Sequence, residues 1–270
     1  MAVFDCFQYF NEEHILDLRL NILDEFVDHF VIVESTNDHQ GNEKKLNFNI
    51  NNFKKFKKKI IYIIVEDTLE AIKKPHKWGE SLVEQHQRNS IMKGLNKSHD
   101  NDLIILSDVD EIPDLNKLNI FNKKNRYAVF AQKKFDYKLN LLNESEGDWH
   151  GSKICLKKNL KSPQWLRNLK FKKYPFWRID KIRDLQIIQN GGWHFSYLHN
   201  PEDLLKKIKS FSHGEFNIPE FTSSEKIVEK IRMKKNIFDL PYNYKKVEID
   251  DTYPKYIINN KHKLKNWIIE

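Results

Sequence analysis

Cysteine is nearly absent. Cys6 and Cys155 are the only two in 270 residues, far apart and in apolar contexts, which argues against a disulfide framework or a cysteine metal site and leaves core packing as their expected role. No apolar run approaches the roughly 20 residues of a membrane-spanning helix. The opening Met1-Ala2-Val3-Phe4-Asp5-Cys6 lacks the basic and apolar regions of a signal peptide. The expectation is a cytoplasmic protein with no transmembrane segment. A glycine-rich, basic phosphate loop is also missing after the first expected strand, where Phe10-Asn11-Glu12-Glu13 is acidic instead, and this counts against a nucleotidyltransferase. Internal repeats and low-complexity linkers are lacking too.

Apolar residues make up 40% of the chain and aromatics 13%, ample for a packed core. The net charge of +8 comes mostly from lysines such as Lys54, Lys55, Lys57, Lys58 and Lys59, set among many Asn and Ile residues. That bias reads as skewed genomic composition and solvated surface rather than as a specific nucleic-acid site.

Strands and helices alternate. Val3 to Phe10 reads as a strand, and Leu16, Leu20, Leu23 and Val27 then recur at helical spacing, with Asn11 placed to cap the helix and Glu12 and Glu13 in its first turn. Phe30 to Val33, Ile60 to Val65 and Leu103 to Leu106 read as buried strands, and Val83, Gln87, Ile91 and Leu95 as one helical stripe. Near-continuous apolar strands alternating with helices predict a mostly parallel sheet covered on both faces. Beyond residue 113 the pattern loosens: Tyr127 to Phe130 is a strand, residues 135–155 have weak periodicity, and residues 185–195 read as strand, glycine turn and short strand.

The segment Ser107-Asp108-Val109-Asp110-Glu111-Ile112-Pro113 follows a strand directly. In open α/β sheets ligands bind at that edge, and two carboxylates one residue apart can turn toward one divalent cation, which suits a phosphorylated substrate.

An ordered set of further motifs accompanies it. Phe4-Asp5-Cys6-Phe7, Phe10-Asn11-Glu12, Arg19-Leu20-Asn21, Phe30-Val31-Ile32-Val33-Glu34, His39-Gln40-Gly41 and Gln87-Arg88-Asn89 precede it. Gly192-Trp193-His194-Phe195-Ser196, Phe211-Ser212-His213-Gly214-Glu215-Phe216 and Tyr253-Pro254-Lys255-Tyr256 follow. Together they resemble glycosyltransferase family 17, over most of the chain and in order.

The resemblance implies a single GT-A-type domain over residues 1–270, with a nucleotide-sugar half over about 1–115 and an acceptor half, which also completes the metal shell, over about 116–270. The implied reaction is metal-dependent, inverting transfer of a sugar, GlcNAc from UDP-GlcNAc, to a protein-, lipid- or polysaccharide-linked glycan. Mn²⁺ or Mg²⁺ held by carboxylates would neutralise the diphosphate leaving group. Asp110 is the expected direct ligand, Asp108 reaches the metal through water or binds the ribose, and His194 completes the shell, or is a satisfied core histidine. Glu111 is a catalytic candidate or orients its neighbours. Arg88 holds the diphosphate or forms a surface ion pair. Asn11 and Glu34 are placed to read the nucleotide, Trp193 to stack on a sugar or pack, and Lys207 and His213 to close over the pyrophosphate. Asp148 is the candidate base, with Glu144, Asp136 and Asp180 as competitors. A non-catalytic carbohydrate- or nucleic-acid-binding protein is the alternative from a different class.

Overall fold

The computed structural model describes residues 1–38, 41–67, 82–171, 177, 182, 185–200, 204–205 and 223–269. The fold is mixed α/β and is built on two sheets. Strand β1 (Val3–Gln8) leads into helix α1 (Glu13–Leu23), and β2 (His29–Ser35) and β3 (Ile60–Val65) follow. Helices α2 (Leu82–Asn89) and α3 (Ile91–Gly94) precede β4 (Leu103–Leu106) and the short β5 (Glu111–Pro113). Next come β6 (Tyr127–Phe130), β7 (Lys133–Asp136), β8 (Leu141–Asn143), β9 (Lys153–Leu156) and helix α4 (Pro163–Asn168). The last elements are β10 (Leu185–Ile188), β11 (Gly192–Ser196), α5 (Ser224–Arg232), β12 (Tyr244–Lys246) and α6 (Lys255–Asn259).

The larger sheet has the order β10-β6-β9-β4-β1-β2-β3. Its β4-β1-β2-β3 half is parallel throughout, as the apolar runs predict. Strand β9 then enters antiparallel to both β4 and β6, so the sheet is mostly but not wholly parallel. A second sheet, β12-β8-β7-β11-β5, crosses the carboxylate segment through β5 and the glycine turn through β11.

Alternation along β1 divides the core. Val3 and Phe7 face α1 with Leu16, Leu20 and Leu23, whereas Phe4 and Cys6 face the opposite layer with Ile91, Leu95 and Cys155. Both cysteines are free and fully buried, and burial pushes their thiols well above the ordinary value, to about 12 for Cys155; core packing is their role. Lys55 and Lys59 lie on the surface and pair with Asp24. No helix among the described residues is long and apolar enough to cross a membrane.

Two local expectations are corrected. The N-cap position of α1 is Glu12, not Asn11, with no side-chain cap hydrogen bond; the Glu12 carboxylate turns back instead to accept the N–H groups of Phe10 and Asn11 at 3.1 and 3.0 Å. The helix also stops at Leu23, short of Val27.

Candidate active site

The segment after β4 sits at the carboxyl edge of the parallel strands, where β1 and β4 both end. A cavity of about 350 Å³ opens there, and it collects Gln8, Glu12, Arg88, Asp108, Asp110 and His194 from five separate elements or their ends. Local hydrogen bonds shape the segment: Ser107 N–H donates to the Cys6 carbonyl at 3.1 Å, and Glu111 N–H closes a turn onto the Asp108 carbonyl at 3.1 Å.

The three acids of the segment have different surroundings. Glu111 is fully buried. Its carboxylate accepts from Asp108 N–H at 2.9 Å, from the Trp149 indole at 2.6 Å and from both terminal nitrogens of Arg167 at 2.9 and 3.0 Å. Of the two roles open to Glu111, these contacts suit orienting its neighbours, because both carboxylate oxygens are engaged inside the protein.

Asp108 lies between two guanidiniums, accepting from Arg167 at 2.6 Å and from Arg88 at 3.2 Å. Burial alone would raise its carboxyl, but Arg167 and then Arg88 outweigh that and hold it below the usual carboxylate range. Asp110 faces His194, with Oδ1 at 3.6 Å from Nε2. The imidazole is 6% exposed, and its Nδ1 is buried with no hydrogen-bond partner among the described residues. Trp149 packs tilted against the ring at 4.7 Å between centroids, and the Lys134 ammonium lies 5.4 Å from the indole.

Arg88 reaches the cavity from α2. Its guanidinium, itself buried, donates to Glu84 at 2.5 Å, Gln164 at 2.7 Å and Asp108, so it is engaged with two partly exposed acids. Arg167, from α4, has no place in the sequence reading and is the largest omission from it. Beneath it, the buried Lys153 ammonium donates to the Arg167 and Leu169 carbonyls. Burial and then the Arg167 charge lower the Lys153 ammonium to about 7. Gly151 fits because a methyl group there would overlap the Glu111 carboxylate.

Two predictions arise from these contacts. Gly151→Ala is expected to destabilise the protein by about 1–3 kcal/mol, the usual cost of overpacking, read as a lower thermal midpoint; an unchanged midpoint would mean that Glu111 can move aside. Lys153 makes stability depend on pH. Between about 7 in the folded protein and about 10.4 unfolded, the unfolded state binds the extra proton, so stability rises with pH. The wild type should gain stability relative to Lys153→Met as pH rises from about 7 to 9, and parallel unfolding curves would contradict this.

The remaining sequence candidates divide. Glu34 is buried within β2 and is taken up by Lys44 at 2.5 Å, the N–H groups of Asn47 and Phe48 at 2.7 and 3.0 Å, and the Tyr62 hydroxyl at 2.8 Å; it braces residues 44–48 and does not line the cavity. Asn11 is half-buried and also does not line it. Trp193 lies on the face of β11 opposite His194, buried in the apolar core, and does not line this cavity. Asp148 is exposed and outside the cavity lining, and Glu144 is likewise exposed. Asp136 is buried, with its carboxyl raised by burial, and accepts from Asn143 at 2.9 Å and Tyr244 at 3.0 Å. Lys207, His213 and Asp180 lie outside the described residues.

The sequence profile of Glycosyltransferase family 17 matches residues 1–265. No curated protein matches the chain. Among solved structures, the chain is similar to HddC from Yersinia pseudotuberculosis, with 12% identity, 70% of this chain and 90% of that one covered, and a TM-score of 0.36. HddC complexed with GMP-PN matches with the same identity and coverage and a TM-score of 0.33. The galactosyltransferase LgtC in complex with donor and acceptor sugar analogs matches with 12% identity over 59% of each chain and a TM-score of 0.34.

Proposed function

The chain belongs to glycosyltransferase family 17 and is a glycosyltransferase, and from this we propose that it transfers GlcNAc from UDP-GlcNAc, with inversion, to a glycan hydroxyl in the cavity beside Asp110 and His194. The observation that carries the reading is the charge of that cavity. Among the described residues, Glu12, Glu84, Asp108, Asp110 and Glu111 line it with the guanidiniums of Arg88 and Arg167, and both guanidiniums are engaged with these acids. A nucleotide diphosphate adds negative charge to a site already in excess of it, so its binding calls for a divalent cation.

The residues fit such an ion. Asp110 Oδ1 and His194 Nε2 face each other at 3.6 Å, which brings one carboxylate oxygen and one imidazole nitrogen to the same point of the cavity. Asp108 is held by its two arginines, which favours contact through water or with the ribose over direct ligation. Among the described residues no three His, Cys, Asp or Glu side chains form a ready-made cage. This is the habit of Mg²⁺ and of sites shared with substrate phosphates, where few protein groups and several substrate or water oxygens complete the shell. Mn²⁺ suits the same carboxylate and imidazole donors. When bound, the cation would offset the charge that develops on the departing UDP.

The test is release of UDP from UDP-GlcNAc with Mn²⁺, Mg²⁺ or EDTA present, across a panel of glycan acceptors. Turnover that needs the metal and an acceptor is the expected result; turnover at the same rate in EDTA would remove the cation from the reading.

A further inference from the structure

An arginine enters the core from α1 without appearing at the cavity surface. Arg19 is fully buried between Leu18 and Leu20, and its fork meets Asp5 of β1 with Nε at 2.7 Å from Oδ2 and Nη2 at 2.6 Å from Oδ1. Asp5 lies in the middle of the larger sheet, paired in register with Phe30 on one side and Ile105 on the other. A charge pair in that position needs a reason. Replacing a buried pair by apolar residues of similar volume is commonly neutral or stabilising, so stability is a weak one.

The remaining nitrogen of the fork gives a better reason. Arg19 Nη1 points at the backbone carbonyls of Asp108, Val109 and Glu111, at 3.1, 3.3 and 2.7 Å. The one carbonyl skipped, that of Asp110, accepts from the Phe195 N–H of β11 at 2.9 Å. Four consecutive carbonyls are thus fixed from two sides. The Asp110 side chain leaves this backbone toward His194, and β11 carries both that histidine and the N–H that holds Asp110. A planar guanidinium can serve a carboxylate and several carbonyls at once because its five donors lie in one rigid fork; a lysine ammonium cannot span them.

We propose that Arg19 is a positioning residue for the reaction: braced by Asp5, it fixes the backbone of residues 108–111 so that Asp110 is held facing His194. The catalytic part of this proposal rests on the role given to Asp110 under Proposed function, and the fixing of the backbone does not.

The test compares the wild type with Asp5→Leu/Arg19→Met, which removes both charges at similar volume, and with Arg19→Lys, which keeps the charge but not the fork. Three readouts are taken: the thermal midpoint, amide hydrogen exchange over residues 108–112, and the affinity for UDP with Mn²⁺ together with kcat on UDP-GlcNAc. The double variant is expected to remain folded, with exchange over residues 108–112 at least tenfold faster, Mn²⁺-dependent UDP affinity at least tenfold weaker and kcat at least a hundredfold lower. Arg19→Lys should reproduce the same local exchange and the same losses.

A folded double variant with wild-type exchange and kcat would overturn the proposal. So would a double variant that fails to fold beside a fully active Arg19→Lys, since the pair would then serve stability alone. If the wild type itself neither binds UDP with Mn²⁺ nor turns over the donor, the functional reading fails, and exchange over residues 108–112 still decides whether Arg19 fixes the segment.

Discussion

Asp110→Asn is expected to reduce transfer by roughly a thousandfold while leaving the protein folded. The substitution keeps the shape of the side chain and removes its charge, and charge is what a divalent ion would require of Asp110 in the proposed site. Losing a Lewis acid that stabilises a leaving diphosphate costs on the order of 4 kcal/mol in the transition state. Asp110 sits at a strand edge beside His194 and belongs to no apolar cluster, so its effect on folding should stay within about 0.5 kcal/mol, as for ordinary positions away from the core. Kinetics at saturating donor check the first part and urea unfolding the second. An active variant would remove Asp110 from the metal site. A variant that is both inactive and unfolded would make the residue structural.

Arg167→Met should damage stability and activity together. Arg167 is the shared partner of the buried Glu111 and of Asp108, and removing it leaves the Glu111 charge without its counter-ion inside the protein. Removal of one member of a buried pair typically costs about 3–5 kcal/mol. The Asp108 contact is partly exposed, and solvent screening makes it the smaller share. The double variant Arg167→Met/Glu111→Gln should recover a large part of the stability, because the stranded charge is gone, but not the activity, since Asp108 would still lack its nearer guanidinium. A double variant no more stable than Arg167→Met would show that the pair is not the source of the loss.

The first half of the fold was legible because its strands are unbroken apolar runs. Ile60 to Val65 and Leu103 to Leu106 coincide with β3 and β4, and the acids after β4 were visible as a cluster closed by Pro113. Strand β9 was not legible. Lys153-Ile154-Cys155-Leu156 falls at the end of a stretch of weak periodicity, and only its partners β4 and β6 make it a central strand. Glu34 stands at the end of an apolar run, a position that suits nucleotide contact; the four donors that occupy it come from residues ten or more positions away and could not be read from that run.

Arg167 carried no signal at all, since its partners lie 56 and 59 residues away. Arg19 did carry one. An arginine flanked by Leu18 and Leu20 on a helix, opposite an aspartate in an otherwise apolar strand, is a recognisable buried pair, although its three carbonyl contacts are visible only in the fold.

In the proposed site a nucleotide-sugar donor binds together with a divalent cation seated by Asp110 and His194. Calorimetric titration of UDP-GlcNAc into the wild type and into Asp110→Asn, each with Mn²⁺ and with EDTA, tests it most directly. Binding to the wild type only when Mn²⁺ is present, and its loss in Asp110→Asn, is the expected result. Equal affinity with and without Mn²⁺, or an Asp110→Asn protein that binds as tightly as the wild type, would contradict it.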